Sequence, residues 1–241
     1  MILEDCSSLE SYFLRFILDE YKKLTKGEFK QDFDSFKQPC QIRILSGSDV
    51  IWRDMFQHHH GHIRRDYVSK NFDLYDQKEY STMMSAYHEG AVSSDGIVHL
   101  TQLYVDIHTV ALDKFILDNI ADLDRLKKLI CVCLRHEIGH IIDYIRFDGL
   151  PVEEYKEYWD KKDCQYEEFY EWKRKQENID WKEKLRRYYS IEIESVANRN
   201  GGITINDILE VEENKNRNMD ITIDISVIDK KPKRVKEKDK S

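Results

Sequence analysis

Apolar positions along the chain first recur at helical spacing. Leu9, Phe13, Phe16, Ile17 and Tyr21 share one face of a helix expected to run to about Thr25. Ser7-Ser8-Leu9-Glu10 supplies a capping box for it, and Gly27 closes it. A polar loop is expected next, then a short strand at 41–45 ending in Ser46-Gly47-Ser48. Val50, Ile51, Trp52, Met55 and Phe56 suggest a second helix. Residues 82–88 and 97–105 carry β-branched and aromatic side chains around a Gly-, Ser- and Asp-containing turn at 89–96, which predicts a pair of strands. A helix is expected over 109–119. The longest periodic stretch follows: Leu123, Leu126, Leu129, Ile130, Cys133, Leu134, Ile138, Ile141, Ile142 and Ile145. Asp122 or Asp124 suits its N-cap, Gly149 its C′ position, and Pro151 the first turn of another helix.

From 151 to 190 the pattern stays helical and becomes aromatic, with Tyr155, Tyr158, Trp159, Tyr166, Phe169, Tyr170, Trp172, Trp181, Tyr188 and Tyr189. Such a stripe is ordinarily core or the wall of a cleft. The helix is expected to continue over 190–200 until Gly201-Gly202 ends it, with another short helix over 203–215. Ile221, Ile223, Ile225 and Val227 alternate with polar residues, a strand pattern. Residues 229–241 hold seven Lys or Arg against three acids, the composition of a disordered, solvating tail that can also dock on acidic partners. The chain therefore divides into an N-terminal helix-and-strand region (1–79), a core (80–215) and a possible strand with a charged tail (216–241).

Composition narrows the class. Hydrophobic residues make up 41% and charged residues 35% of 241 residues, which suits one globular domain with a charged surface. No apolar run is long enough to span a bilayer, and the first fourteen residues carry Glu4 and Asp5 without a basic n-region. The five cysteines, Cys6, Cys40, Cys131, Cys133 and Cys164, are scattered, and Cys131 and Cys133 face different sides of a helix. They read as reduced thiols in an intracellular, cytoplasmic protein. A formal charge of −8 argues against bulk nucleic-acid binding and leaves only a local contact by the basic tail.

Inside the longest apolar stretch stands His136-Glu137-Ile138-Gly139-His140, the pattern H-E-x-x-H. Positions i and i+4 share a helix face, so the two imidazoles can reach one ion. Glu137 projects from the adjoining surface, where a carboxylate can serve as base without being a ligand. The plain alternative is a buried helix that happens to carry two histidines. Three ligands are usual for a catalytic zinc, and Ile191-Glu192-Ile193-Glu194-Ser195-Val196-Ala197-Asn198 offers candidates on a later helix. Glu194 shares a face with Asn198, and Ala197 is small enough for close helix approach. A second cluster, His58, His59, His60 and His62, could bind metal or donate to an oxyanion. Consecutive histidines diverge on a helix, however, so an exposed polar turn is the preferred reading.

These motifs resemble the zincin metallopeptidases, and among them the gluzincins, in which H-E-x-x-H is completed by a later E-x-x-A-[DN] or E-x-x-x-D. The resemblance covers about residues 80–200. It implies an α+β fold with a small mixed sheet, an H-E-x-x-H helix and a helical C-terminal half. It implies Zn²⁺ held by His136, His140 and Glu194, with Glu137 as general base in peptide-bond hydrolysis. Glu192 competes with Glu194 as the third ligand. Asn198 would support His136 or His140 from behind; many relatives have Asp there, which would make the histidine more basic. Asp143 matches a position in lethal-factor-like members, and Tyr188 and Tyr189 lie near where those members keep a transition-state tyrosine. The substrate would be a protein or peptide lying along an edge strand, either Ile97 to Tyr104 or its partner Met83 to His88. The rival expectation is a zinc-stabilised regulatory or binding module with little turnover.

Overall fold

The computed structural model describes residues 9–45, 83–109, 111–112, 115–116, 122–176 and 179–210. The expectations for 49–56, for His58 to His62, for 221–227 and for the tail lie outside these residues. Two helices, α1 (Leu9–Lys26) and α2 (Lys30–Ser35), lead into strand β1 (Cys40–Leu45). Strands β2 (Met84–Val92) and β3 (Val98–His108) follow, then α3 (Leu123–Ile145), α4 (Val152–Arg174), α5 (Trp181–Tyr188) and α6 (Glu192–Asn200). A further helical stretch begins at 205. The fold is mixed α+β and mostly helical. Among the described residues no helix is long and apolar enough to cross a membrane.

The three strands form one sheet in the order β1-β3-β2, with β1 parallel and β2 antiparallel to the central strand. Leu103, Val105 and Ile107 of β3 are fully buried on the face that α3 covers. The opposite face of the same segment is buried too, and it carries Tyr104, Asp106 and His108. Arg43 grips Asp106 with two hydrogen bonds of 2.7 and 3.0 Å, and His108 Nε2 lies 2.9 Å from Ser85 Oγ. The Arg43 pair spares the fully buried Asp106 the cost of an uncompensated charge.

Several local expectations need correction. The polar loop after Gly27 contains α2, because Phe29, Phe33 and Phe36 recur at helical spacing and pack into the core among polar neighbours. The turn at 89–96 is shorter than expected: a register shift between Glu89 and Gly90 lets β2 run on to Val92. The chain from 151 to 200 is three helices, broken after Arg174 and again at Tyr189 to Ile191. Pro151 is the N-cap of α4 and bridges to Ile97, instead of lying in the first turn.

Helix α3 is held at both ends. Asp122 Oδ1 accepts from Arg125 N at 3.0 Å as the N-cap. The helix stops earlier than expected, with Arg146 as C-cap, so Gly149 is not its C′ residue; three residues past the cap it adopts φ +88°, and its N–H donates to Val98 O at 2.8 Å, tying this end to the start of β3. Phe13 and Ile17 of α1 join the same core as Leu126, Leu134 and Ile138 of α3.

Candidate metal centre

On α3, His136 and His140 point the same way, with their Nε2 atoms 3.2 Å apart. Helix α6 crosses α3 and brings Glu194 Oε2 to 3.1 Å from His136 Nε2 and 3.6 Å from His140 Nε2. Donors bound to a tetrahedral zinc at about 2.0–2.2 Å are about 3.3–3.5 Å apart, so these three atoms form a triangle of the right size for one small ion. This buried group can hold a metal.

The crossing is set by the smallest residues in it. A Cβ on Gly139 would lie 1.9 Å from the Ala197 carbonyl oxygen, so the two backbones are in direct contact. Asn200 Nδ2 donates to Gly139 O at 3.2 Å, and Arg135 donates to Gly201 O at 3.1 Å, adding polar pins along the seam. Ala197 thus does what its size suggested, and Gly139, between the two histidines, is its counterpart on α3.

Behind the ligands, Asn198 Oδ1 accepts from His136 Nδ1 at 2.8 Å. That bond fixes the tautomer and leaves the Nε2 lone pair facing Glu194. The buried Nδ1 of His140 has no hydrogen-bond partner among the described residues. Glu194 is 4% exposed, and its other oxygen, Oε1, accepts from Tyr188 at 3.0 Å and from Tyr166. One carboxylate oxygen is therefore occupied by two phenols while the second faces the imidazoles. Glu192 lies outside the cluster: it is exposed and pairs with Lys161 at 2.5 Å.

Electrostatics reflect three basic and acidic groups sharing a small volume. Burial pushes the His136 imidazole down, but the Glu194 hydrogen bond, the charges of Glu137 and Glu194 and the Asn198 bond outweigh it and lift it to about 9. Burial pushes Glu194 up, yet hydrogen bonds and charge from both histidines hold it well below the usual carboxylate range. Glu137 is not part of the ligand triangle. Burial raises its carboxyl, opposed by both histidines and the Ala86 N–H of β2, with Glu194 adding to the rise. A carboxylate beside the candidate ligands therefore lies against β2.

The remaining expected residues are distributed around this core. Tyr189 stands edge-on to His136, ring centroids 5.6 Å apart. Asp143 is buried and accepts from Tyr158 of α4 at 2.6 Å, so it links α3 to α4. Sequence reasoning passed over Tyr166, Asn200, His88 and Lys162. His88 on β2 stacks on Trp159 at 5.5 Å and contacts Tyr144 at 4.7 Å, while its ring nitrogen lies 2.9 Å from Tyr155 Oη. The signal for the α4 residues was present: Tyr155, Tyr158, Trp159, Lys162, Tyr166 and Phe169 share one helical face. Comparison of the chain with protein-family models, with curated proteins and with solved structures returned no match.

Proposed function

We propose that this protein is a zinc-dependent peptidase of zincin type. The observation that carries the reading is a two-histidine, one-carboxylate triangle with a further carboxylate, Glu137, beside it and outside it. Such a donor set suits zinc and leaves one coordination position for substrate or water. A purely structural site has no use for a base at that place.

When bound, zinc polarises a scissile carbonyl and lowers the pKa of a coordinated water. Glu137 takes the proton from the attacking water and passes it to the leaving amine nitrogen. Tyr166 and Tyr188 keep Glu194 turned with Oε2 toward the histidines, and Asn198 does the same for His136. Tyr188 holds Glu194, and Tyr189, whose ring stands against His136, is our candidate to meet the carbonyl oxygen. β2 is an edge of the described sheet and lies beside α3, so an extended peptide binds as an added strand along it.

Glu137→Gln tests the reading. Zinc content and folding should stay unchanged, while hydrolysis of an unstructured peptide mixture should fall by at least about 100-fold, the lower end of general-base contributions. Undiminished hydrolysis in this variant, or none by the zinc-loaded wild type, sinks the peptidase reading. The second outcome would leave a zinc-stabilised binding module.

A further inference from the structure

The inward face of α4 is aromatic except where Lys162 and Gln165 interrupt it. The other lysines of this helix, Lys156, Lys161 and Lys173, are exposed, whereas Lys162 is half-buried. Its ammonium lies 4.0 Å from the Trp159 ring centroid and 5.6 Å from that of Tyr166. Both rings belong to the surroundings of the metal centre. Tyr166 donates to Glu194, and Trp159 lies 6.1 Å from Tyr144, which stacks on His140.

A cation held in this way is incomplete. Two aromatic faces offset part of its desolvation, but they accept none of its three N–H donors. Among the described residues no carboxylate lies within ion-pair distance of Lys162. Burial lowers the pKa of the ammonium, against the weaker pull of Asp163 and Glu194. A bound divalent ion would balance the charges of Glu194 and Glu137, leaving Lys162 with only the distant pull of Asp163 and no carboxylate in ion-pair contact among the described residues.

We propose that Lys162 is the specificity-determining residue of this site and receives a carboxylate of the substrate peptide, close to the bond presented to the metal centre. The inference takes its substrate class from the peptidase reading. An acidic side chain and a C-terminal carboxylate share this chemistry. The Trp159–Tyr166 shelf fixes where the charge sits, so the selected group falls at one fixed position relative to the cut.

The test uses the zinc-loaded full chain and a synthetic random peptide library, made once as C-terminal acids and once as C-terminal amides. Cut sites are read by mass spectrometry. Asp or Glu should be enriched about tenfold at one position, the effect expected of one partly desolvated charged hydrogen bond. Enrichment in both libraries identifies a side chain; enrichment in the free acids alone, near the peptide end, identifies the terminal carboxylate. Lys162→Met keeps the stem over Trp159 and should keep zinc while losing the preference. Lys162→Arg should retain it, and Lys162→Glu should turn it toward Lys and Arg. In parallel, immobilised zinc-loaded Glu137→Gln should retain acidic peptides, and adding Lys162→Met should release them. That binding arm decides the role of Lys162 even if no cleavage occurs and the peptidase reading fails. Absence of acidic enrichment in both arms, or enrichment that survives Lys162→Met, overturns the proposal and leaves a lysine that only covers Trp159.

Discussion

Helix α3 has two very different neighbours. Where it crosses α6, the Gly139 and Ala197 backbones touch, and Asn198 and Asn200 of α6 hydrogen-bond to His136 and Gly139 of α3. Where it faces α4, contact is made by rings: Tyr144 and Phe147 against Tyr155, Tyr158 and Trp159, at centroid distances from 4.6 to 6.2 Å. The first contact has no slack, because nothing smaller than glycine exists. The second is adjustable, since rings can tilt and slide at little cost. The candidate ligand atoms, whose spacing a metal requires to within a few tenths of an ångström, sit on the rigid seam. The residues proposed to meet varied peptides sit on the adjustable wall.

The sharpest way to break this contrast is to add one methyl group to the seam. Gly139→Ala would place a Cβ 1.9 Å from Ala197 O, and the helices would have to separate. A loss of at least about 3 kcal/mol in unfolding free energy is expected, at the top of the overpacking range, together with loss of metal. Normal melting with full zinc content would show that the seam is not rigid. Next comes Asn198→Ala, which removes the partner of His136 Nδ1 and should weaken zinc binding about 10–100-fold with little change in fold. Glu192→Ala, by contrast, should leave zinc content unchanged.

On the ring wall, the expected effects are smaller. Burial, with the Lys162 charge adding, lowers His88 from 6.5 to about 4. The folded state thus resists protonation that the unfolded chain accepts. Stability from this group is complete above about pH 6.5 and is lost as pH falls toward about 4, at about 1.4 kcal/mol per pH unit at most. Urea midpoints of wild type and His88→Gln should converge across that window; parallel curves would mean the ring is not buried neutral. Tyr158→Phe removes the hydrogen bond to Asp143 and should cost about 1 kcal/mol without altering zinc content. A loss of zinc in this variant would show that the wall, too, positions the ligands.

The candidate site was legible because its pieces obey local rules. His136 and His140 share a face by helical period alone, and Glu194, Ala197 and Asn198 are spaced within a single short helix. The α2 helix was hidden because three phenylalanines among polar residues give a weak periodic signal. The breaks at 175–180 and 189–191 were hidden because aromatic helices resemble one another across a turn. Neither break contains a glycine or proline to mark it.

Residue type and spacing alone determined that two imidazoles and a carboxylate could meet a metal, and that a second carboxylate would stand beside them. Spacing along one helix says nothing about the distance to another, so only the folded chain decided between Glu192 and Glu194. It also decided which histidine Asn198 supports, and that Tyr166 and Tyr188 both turn to Glu194. Those choices depend on the rotation of α6 about its axis and on its depth against α3. Both are set by contacts such as Gly139 with Ala197, 58 residues apart in the chain and in touch only once the core has formed.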